Sequence, residues 1–227
     1  NFDTEVNKYV KVGNNLTLSK VYDFDQNNGT NALSGSVASA LRMLPNVDPY
    51  NPANSTGYNI QWPLLNQVGL GPNTIPVDDN YTNPLFTMNV NKYASDKIRI
   101  NNNTFIEISP FKGFKFRSAF NYDMFSDYGF QGLDPRHGDG FSSQGIAFNQ
   151  NILTERFVWQ NYINYNKSFG SHNIFVTVGQ EAQSDQSKNV FGQGSTISDL
   201  FFLQNNFIGG TASLQQSGGG YGKSGFQ

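Results

Sequence analysis

Read by parity, the chain alternates. From Val10 the even positions carry Val10, Val12, Asn14, Leu16, Leu18, Tyr22 and Phe24, and the odd ones Lys11, Gly13, Asn15, Thr17, Ser19 and Asp23. The segment from Lys97 places Ile98, Ile100, Thr104, Ile106 and Ile108 opposite Lys97, Arg99, Asn101, Asn103, Glu107 and Ser109, with Phe105 alone breaking the rule. Residues 114 to 127 set Phe114, Phe116, Phe120, Tyr122 and Met124 against Lys115, Arg117, Asn121, Asp123 and Asp127. From Glu155, Phe157, Trp159, Ile163 and Tyr165 oppose Arg156, Gln160, Asn164 and Asn166; from Asn173, Ile174, Val176 and Val178 oppose Thr177, Gly179 and Glu181. A period of two over such lengths predicts β-strands with one apolar and one polar face. With a strand at Phe2 to Val6, about six strands are expected.

The connections are of two kinds. Asn7-Lys8-Tyr9, Pro110-Phe111-Lys112-Gly113 and Lys167 to Ser171 are short turns. Keeping apolar parity across the second predicts Ile108 opposite Phe114, Glu107 opposite Lys115 and Arg99 opposite Asp123, so that unlike charges meet on the polar face. The other strand ends run into long stretches rich in Gly, Asn, Ser and Pro, over 25–95, 128–151 and 186–220. One short helix is expected in the first, from Ser36 to Leu44, capped by Ser34 or Ser36 and stopped by Pro45. Its apolar face is Val37, Ala40, Leu41 and Leu44. The stretch punctuated by Pro49, Pro52, Pro63, Pro72, Pro76 and Pro84 is expected to be irregular.

Composition narrows the class. The 227 residues include 30 Asn, 23 Gly and 15% aromatics but only 14% charged residues, and the net charge is -2. Without a basic excess the chain has no electrostatic footprint for nucleic acid. Its aromatic load is too high for a disordered chain. The absence of cysteine removes thiol catalysis, disulfides and Cys-based metal sites, and the two histidines, His137 and His172, lie far apart. No metal or other cofactor is expected. No apolar run reaches the roughly 18 residues of a membrane helix, which leaves open a crossing by alternating strands.

Two architectures satisfy the pattern. A secreted or surface β-sandwich, binding glycans or acting in adhesion, buries its apolar faces between two sheets. An outer-membrane barrel turns them to lipid and its polar faces to the lumen, with short turns on the periplasmic side and long loops outside. The side-by-side alternation of short and long connections favours the barrel. So do aromatics at both strand ends: Tyr9, Phe111, Phe114 and Phe169 near the short turns, Tyr22, Phe24, Tyr128 and Phe130 near the loops. Arg99, Glu107, Lys115, Arg117 and Asp123 are then lumen-facing, since mid-strand charges are expensive against hydrocarbon.

The strings ALRMLPNVDPYNP at 40–52, NPLFTMNVNKY at 83–93, FIEISPFKGFKFRSAFNYD at 105–123 and NYINYNKSFGSHNIFVTVGQE at 161–181 resemble, in order, the barrel of the SusC/RagA family of TonB-dependent outer-membrane transporters of Bacteroidota. VKVGNNLTLS at 10–19 resembles the strand before them. The resemblance implies an all-β chain, an antiparallel transmembrane segment of a 22-stranded barrel, in the outer membrane of a Gram-negative bacterium. Residues 1–227 would form part of a single barrel domain, about a quarter to a third of a transporter, without signal peptide, TonB box or plug. It further implies import of oligosaccharides or peptides, energy from TonB through a plug, and a SusD-like surface lipoprotein as partner.

Catalytic chemistry is thin. Asp134, His137 and Asp139 in LDPRHGDG read as a loop turn. GGGYGKSG at 218–225 lacks the full phosphate-loop spacing and reads as an outer loop. Glu107 and Asp123 are more at home paired with lumen Lys and Arg than as an acid/base couple. Binding fits better than catalysis: Tyr50, Tyr58 and Trp62 in the first loop, and Tyr128, Phe130 and Phe141 in the second, set aromatic faces beside Asn, Gln and Asp, a mixture suited to sugar rings or peptide side chains.

Overall fold

The computed structural model describes residues 1–25, 35–69, 82–205 and 208–226. Ser34, Pro72 and Pro76 lie outside the described residues. Seven strands form one antiparallel sheet in chain order: β1 (Phe2–Asn7), β2 (Val10–Asp25), β3 (Lys92–Ile108), β4 (Phe114–Leu133), β5 (Ile146–Phe169), β6 (His172–Ile197) and β7 (Thr211–Phe226). Among the described residues, three α-helices stand in the connections: α1 (Ser36–Arg42), α2 (Pro84–Val90) and α3 (Leu200–Gln204). Among the described residues no second sheet covers the first, so the sandwich is not formed.

The expected parity carries through the ladder. Val10 pairs Ile108, Thr104 pairs Phe120, Phe116 pairs Ile163 and Ile163 pairs Val178, so the apolar residues of five strands share one face. Much of that face is bare: Leu18 is 65% exposed and Val178 63%, with Leu16, Ile106, Phe120, Trp159 and Val176 also exposed. Some polar groups on this face pair with one another. Asn14 Nδ2 donates to Asn102 Oδ1 and Thr104 Oγ1, each at 2.6 Å, and Trp159 Nε1 donates to Ser118 Oγ at 3.0 Å. Unmet hydrogen-bonding groups in an apolar solvent cost several kcal/mol.

The short turns are tight. Asn7 Oδ1 accepts from the backbone of Tyr9 at 2.8 Å and Val10 at 3.0 Å, closing the first. Gly170, at φ 59, closes the third, where Phe169 pairs His172. In the second turn the register differs from the expected one by two residues, with Ile108 opposite Phe116, Glu107 opposite Arg117 and Arg99 opposite Phe125. Pro110 has no N–H to extend the ladder, so β3 stops while β4 continues against β5, Phe114 meeting Tyr165. A slip of two preserves every facing.

Three other expectations are corrected. Pairing runs well into the stretches expected as loops: β5 has 24 residues and β6 has 26, beyond the roughly 9–11 that cross a bilayer. The glycine run 218–225 lies inside β7, making seven strands rather than about six. The helices also differ. Pro84 opens α2 at its first turn, where a missing N–H costs nothing, and Asn83 caps it, accepting from Leu85 N at 3.1 Å and Phe86 N at 3.2 Å. In α1 the interior side is Ser36 and Ser39, not the apolar face: Leu41 is 83% exposed and Val37 56%. Ser39 Oγ sits 3.0 Å from Thr82 Oγ1, and small side chains permit that close approach.

Candidate functional site: the polar face and its loop assembly

The charges on the polar face form rows of alternating sign. Asp123 lies opposite Arg156, which lies opposite Asp185, and the Arg156 Nε–Asp185 Oδ1 distance is 2.6 Å. Arg99 joins the row from β3, with Nη2 2.6 Å from Asp123 Oδ2. These four groups span β3 to β6, and between them a cleft of about 340 Å³ is lined by Arg99, Asp123, Phe125, Thr154 and Arg156. Nearer the short turns, Glu107 takes Lys115 at 2.8 Å and Arg117 at 3.9 Å, while the Arg117 guanidinium stacks 3.7 Å from the centre of the Phe105 ring. Lys11 pairs Asp3 at 2.9 Å. Phe105, the exception to the alternation, is therefore a platform for an arginine.

All five charges read from the sequence, Arg99, Glu107, Lys115, Arg117 and Asp123, stand on this one face. Asp185 carries no such signal in the sequence, because the alternation of β6 fades after Glu181 into a run of polar residues.

At the loop end, residues from the first two long connections fold together. The rings of Tyr50, Tyr58, Phe86 and His137 form a chain with successive centroids 5.7, 5.4 and 5.5 Å apart. His137 is fully buried; its Nε2 accepts from the Asn83 N–H at 2.9 Å, and burial pulls its pKa from 6.5 to about 4. Asn83 Nδ2 donates to Pro49 O at 2.6 Å, and Asn66 exchanges two hydrogen bonds with the backbone of Gly138, at 2.7 and 3.0 Å. Asp134 holds Arg136 through Nε at 2.8 Å. LDPRHGDG is thus the keystone of this assembly, a role set by partners more than 40 residues distant in sequence and so invisible in local pattern. Among the described residues no cluster of His, Cys, Asp or Glu has the arrangement of a metal site.

The aromatic candidates separate. Tyr50 (53%) and Trp62 (38%) keep exposed faces. Tyr58 lies in the ring chain, and its hydroxyl meets Asn89 Nδ2 at 3.1 Å. Phe141, half-buried, follows the 3-10 turn Gly138–Gly140. Tyr128 is exposed, but on the apolar face, with its hydroxyl 2.5 Å from Asn149 Nδ2. Phe130 is corrected: it is 4% exposed, packed with Ala147 and Leu203, and offers no surface to a ligand. The six do not form one site.

No protein-family model matches the chain. Over 96% of its length it is 27% identical to the TonB-dependent receptor P3 of Formosa agariphila, of which it spans 20%. The RagAB peptide importer in its closed-closed state aligns with 98% of the chain at a TM-score of 0.64 and 18% identity, and in its open-open state at 0.65 and 18%. The fold is that of a stretch of antiparallel β-barrel wall. The chain spans 24% and 23% of the respective matched chains. Sequence and fold thus agree in their resemblance to SusC/RagA-type TonB-dependent transporters. The bare stripe of Leu18, Ile106 and Val178 lies on one face of that sheet and the ion-paired rows on the other.

Proposed function

We propose that this chain supplies wall, lumen lining and outer loops of a TonB-dependent importer in the outer membrane of a Gram-negative bacterium, and that it transports rather than catalyses. One observation carries the reading: a single sheet holds an uncovered apolar stripe on one face, paired charges on the other, short turns at one end and a knitted loop assembly at the other. An isolated sheet would leave the outer edges of β1 and β7 unpaired, which lipid does not tolerate. In the membrane, further strands complete the barrel, and a plug inside it takes energy from TonB.

The cargo is an oligosaccharide or a peptide. Tyr50 and Trp62 offer exposed rings beside Asn and Gln, and the lining offers charges already neutralised by partners, which lets polar solutes pass without being held. The partner is a SusD-like surface lipoprotein. Leu41 and Leu64, 83% and 84% exposed on the outer loop, provide the apolar contact such a partner would cover. The experiment is to delete the gene and follow uptake of labelled oligosaccharides and peptides. Loss of one class assigns the cargo, and unchanged uptake of both contradicts import.

A further inference from the structure

One cleft sits where the loop assembly meets the end of the sheet. It holds about 490 Å³ where α2 runs into β3, and its walls include Phe24, Met88, Asn91, Lys92, Arg136 and Leu203. Phe24 belongs to the apolar stripe of β2, and Leu203 packs on Phe130 and Ala147 of the same face. The cleft therefore reaches the outer side of the wall at the loop end of the stripe, with Tyr93 of the polar face also contributing to its walls.

Its walls are of two kinds. Phe24, 75% exposed, and Met88, 38% exposed, offer apolar surface. Asn91 is buried; its Oδ1 accepts from Asp134 N at 2.9 Å, while its Nδ2 is buried and has no hydrogen-bond partner among the described residues. A buried donor left unmet costs about 1–3 kcal/mol, so a ligand acceptor there is favoured. Asp134 neutralises Arg136, and Lys92, whose Nζ touches Gln204 O, leaves the cleft with one cation in excess. Apolar surface on the lipid side, a free amide donor and an unbalanced ammonium suit an amphiphile with an anionic, oxygen-rich head.

We propose that this cleft binds the head group of an anionic outer-leaflet glycolipid, a phosphorylated saccharide, with Lys92 pairing a phosphate and Asn91 Nδ2 donating to a neighbouring oxygen. The assignment rests on the barrel reading, which orients the face. That reading has its own test: a chain extracted in plain buffer without detergent would fail it, whatever the cleft binds.

The experiment titrates the full transporter in detergent with rough lipopolysaccharide, its dephosphorylated form and inorganic phosphate, reading bound mass by native mass spectrometry. Lipopolysaccharide should bind about tenfold more tightly than the dephosphorylated form, and inorganic phosphate alone should not bind. Lys92→Met should lose that preference and Lys92→Arg keep it. Equal affinity for phosphorylated and dephosphorylated lipid in the wild-type protein overturns the proposal, as does phosphate competing fully for the site, which would mark a free-anion site. The wild-type comparison stands even if Lys92→Met fails to assemble.

Discussion

Arg99 grips Asp123 with two hydrogen bonds, Nε at 3.1 Å and Nη2 at 2.6 Å, although neither residue faces the other across the ladder. Opposite Arg99 is Phe125, and opposite Asp123 is Asn101. The arginine is long enough to reach diagonally, which leaves Asp123 directly opposite Arg156 as well. One carboxylate thus balances two cations, with Asp185 balancing the second from the far side.

Asp123→Asn should therefore leave Arg99 without its partner and shift the proposed lining toward anions. Reversal potentials across planar bilayers holding the complete barrel should move toward anion selectivity. Arg99→Gln with Asp123→Asn should return the balance close to wild type. An unchanged potential in Asp123→Asn would place these charges away from the conducting path.

The polarity of the faces predicts asymmetric tolerance. Leu18→Arg and Val178→Arg put a cation on the apolar face and should cost up to about 2–4 kcal/mol of folding into bilayers, according to depth. Thr17→Arg and Thr177→Arg, one residue away on the other face, should cost little. Folding titrations in urea with lipid vesicles measure the difference.

His137 is neutral and buried, with its folded pKa near 4 and an unfolded value near 6.5. A depressed histidine pKa means that the unfolded form takes up the proton first. Its contribution to the loop assembly is therefore complete above pH 6.5 and falls as pH drops toward 4, by about 3 kcal/mol at the limit. Hydrogen exchange at Asn83 to Thr87 should accelerate over that window. His137→Leu strands the Asn83 N–H, costing about 1–3 kcal/mol, and should accelerate exchange there at neutral pH while leaving the strands protected.

Two turn glycines should respond differently. A Cβ on Gly113, at φ 87, would lie 2.1 Å from Asn166 O, whereas one on Gly170, at φ 59, meets nothing within 4 Å. Gly170→Ala should cost only the left-handed backbone penalty of about 1–2 kcal/mol. Gly113→Ala adds a collision with backbone that accepts no rearrangement and breaks the 2.8 Å bond from Asn166 N to Gly113 O. Folding yield into vesicles should fall much further for Gly113→Ala.

The wall was legible where strands alternate strictly. Val10 to Phe24 and Phe114 to Asp127 announce their faces, and parity alone yields the partners Glu107–Lys115 and Arg99–Asp123 although the register is offset by two residues, because long charged side chains bridge diagonals. Legibility failed where side chains carry no contrast. The stretch from Gln183 to Asn189 is polar on both faces, and β7 has glycine in place of a pattern. Asn83-Pro84 carried a cap-and-start signal for α2 that the surrounding prolines obscured. His137 and Phe130 take their roles from residues distant in sequence, Asn83 for one and Leu203 for the other, which no local reading supplies.

The orientation of the two faces can be measured directly, since the chain has no cysteine to interfere. Single cysteines at Ile106, Phe116 and Val176, and at the neighbouring Glu107, Lys115 and Thr177, would be exposed in intact membranes to a water-soluble maleimide and to a lipid-dissolved photoprobe. The account predicts that the first three take the lipid probe and resist maleimide, while the other three do the reverse. Maleimide labelling of Ile106, Phe116 and Val176 with lipid labelling of their neighbours would contradict it.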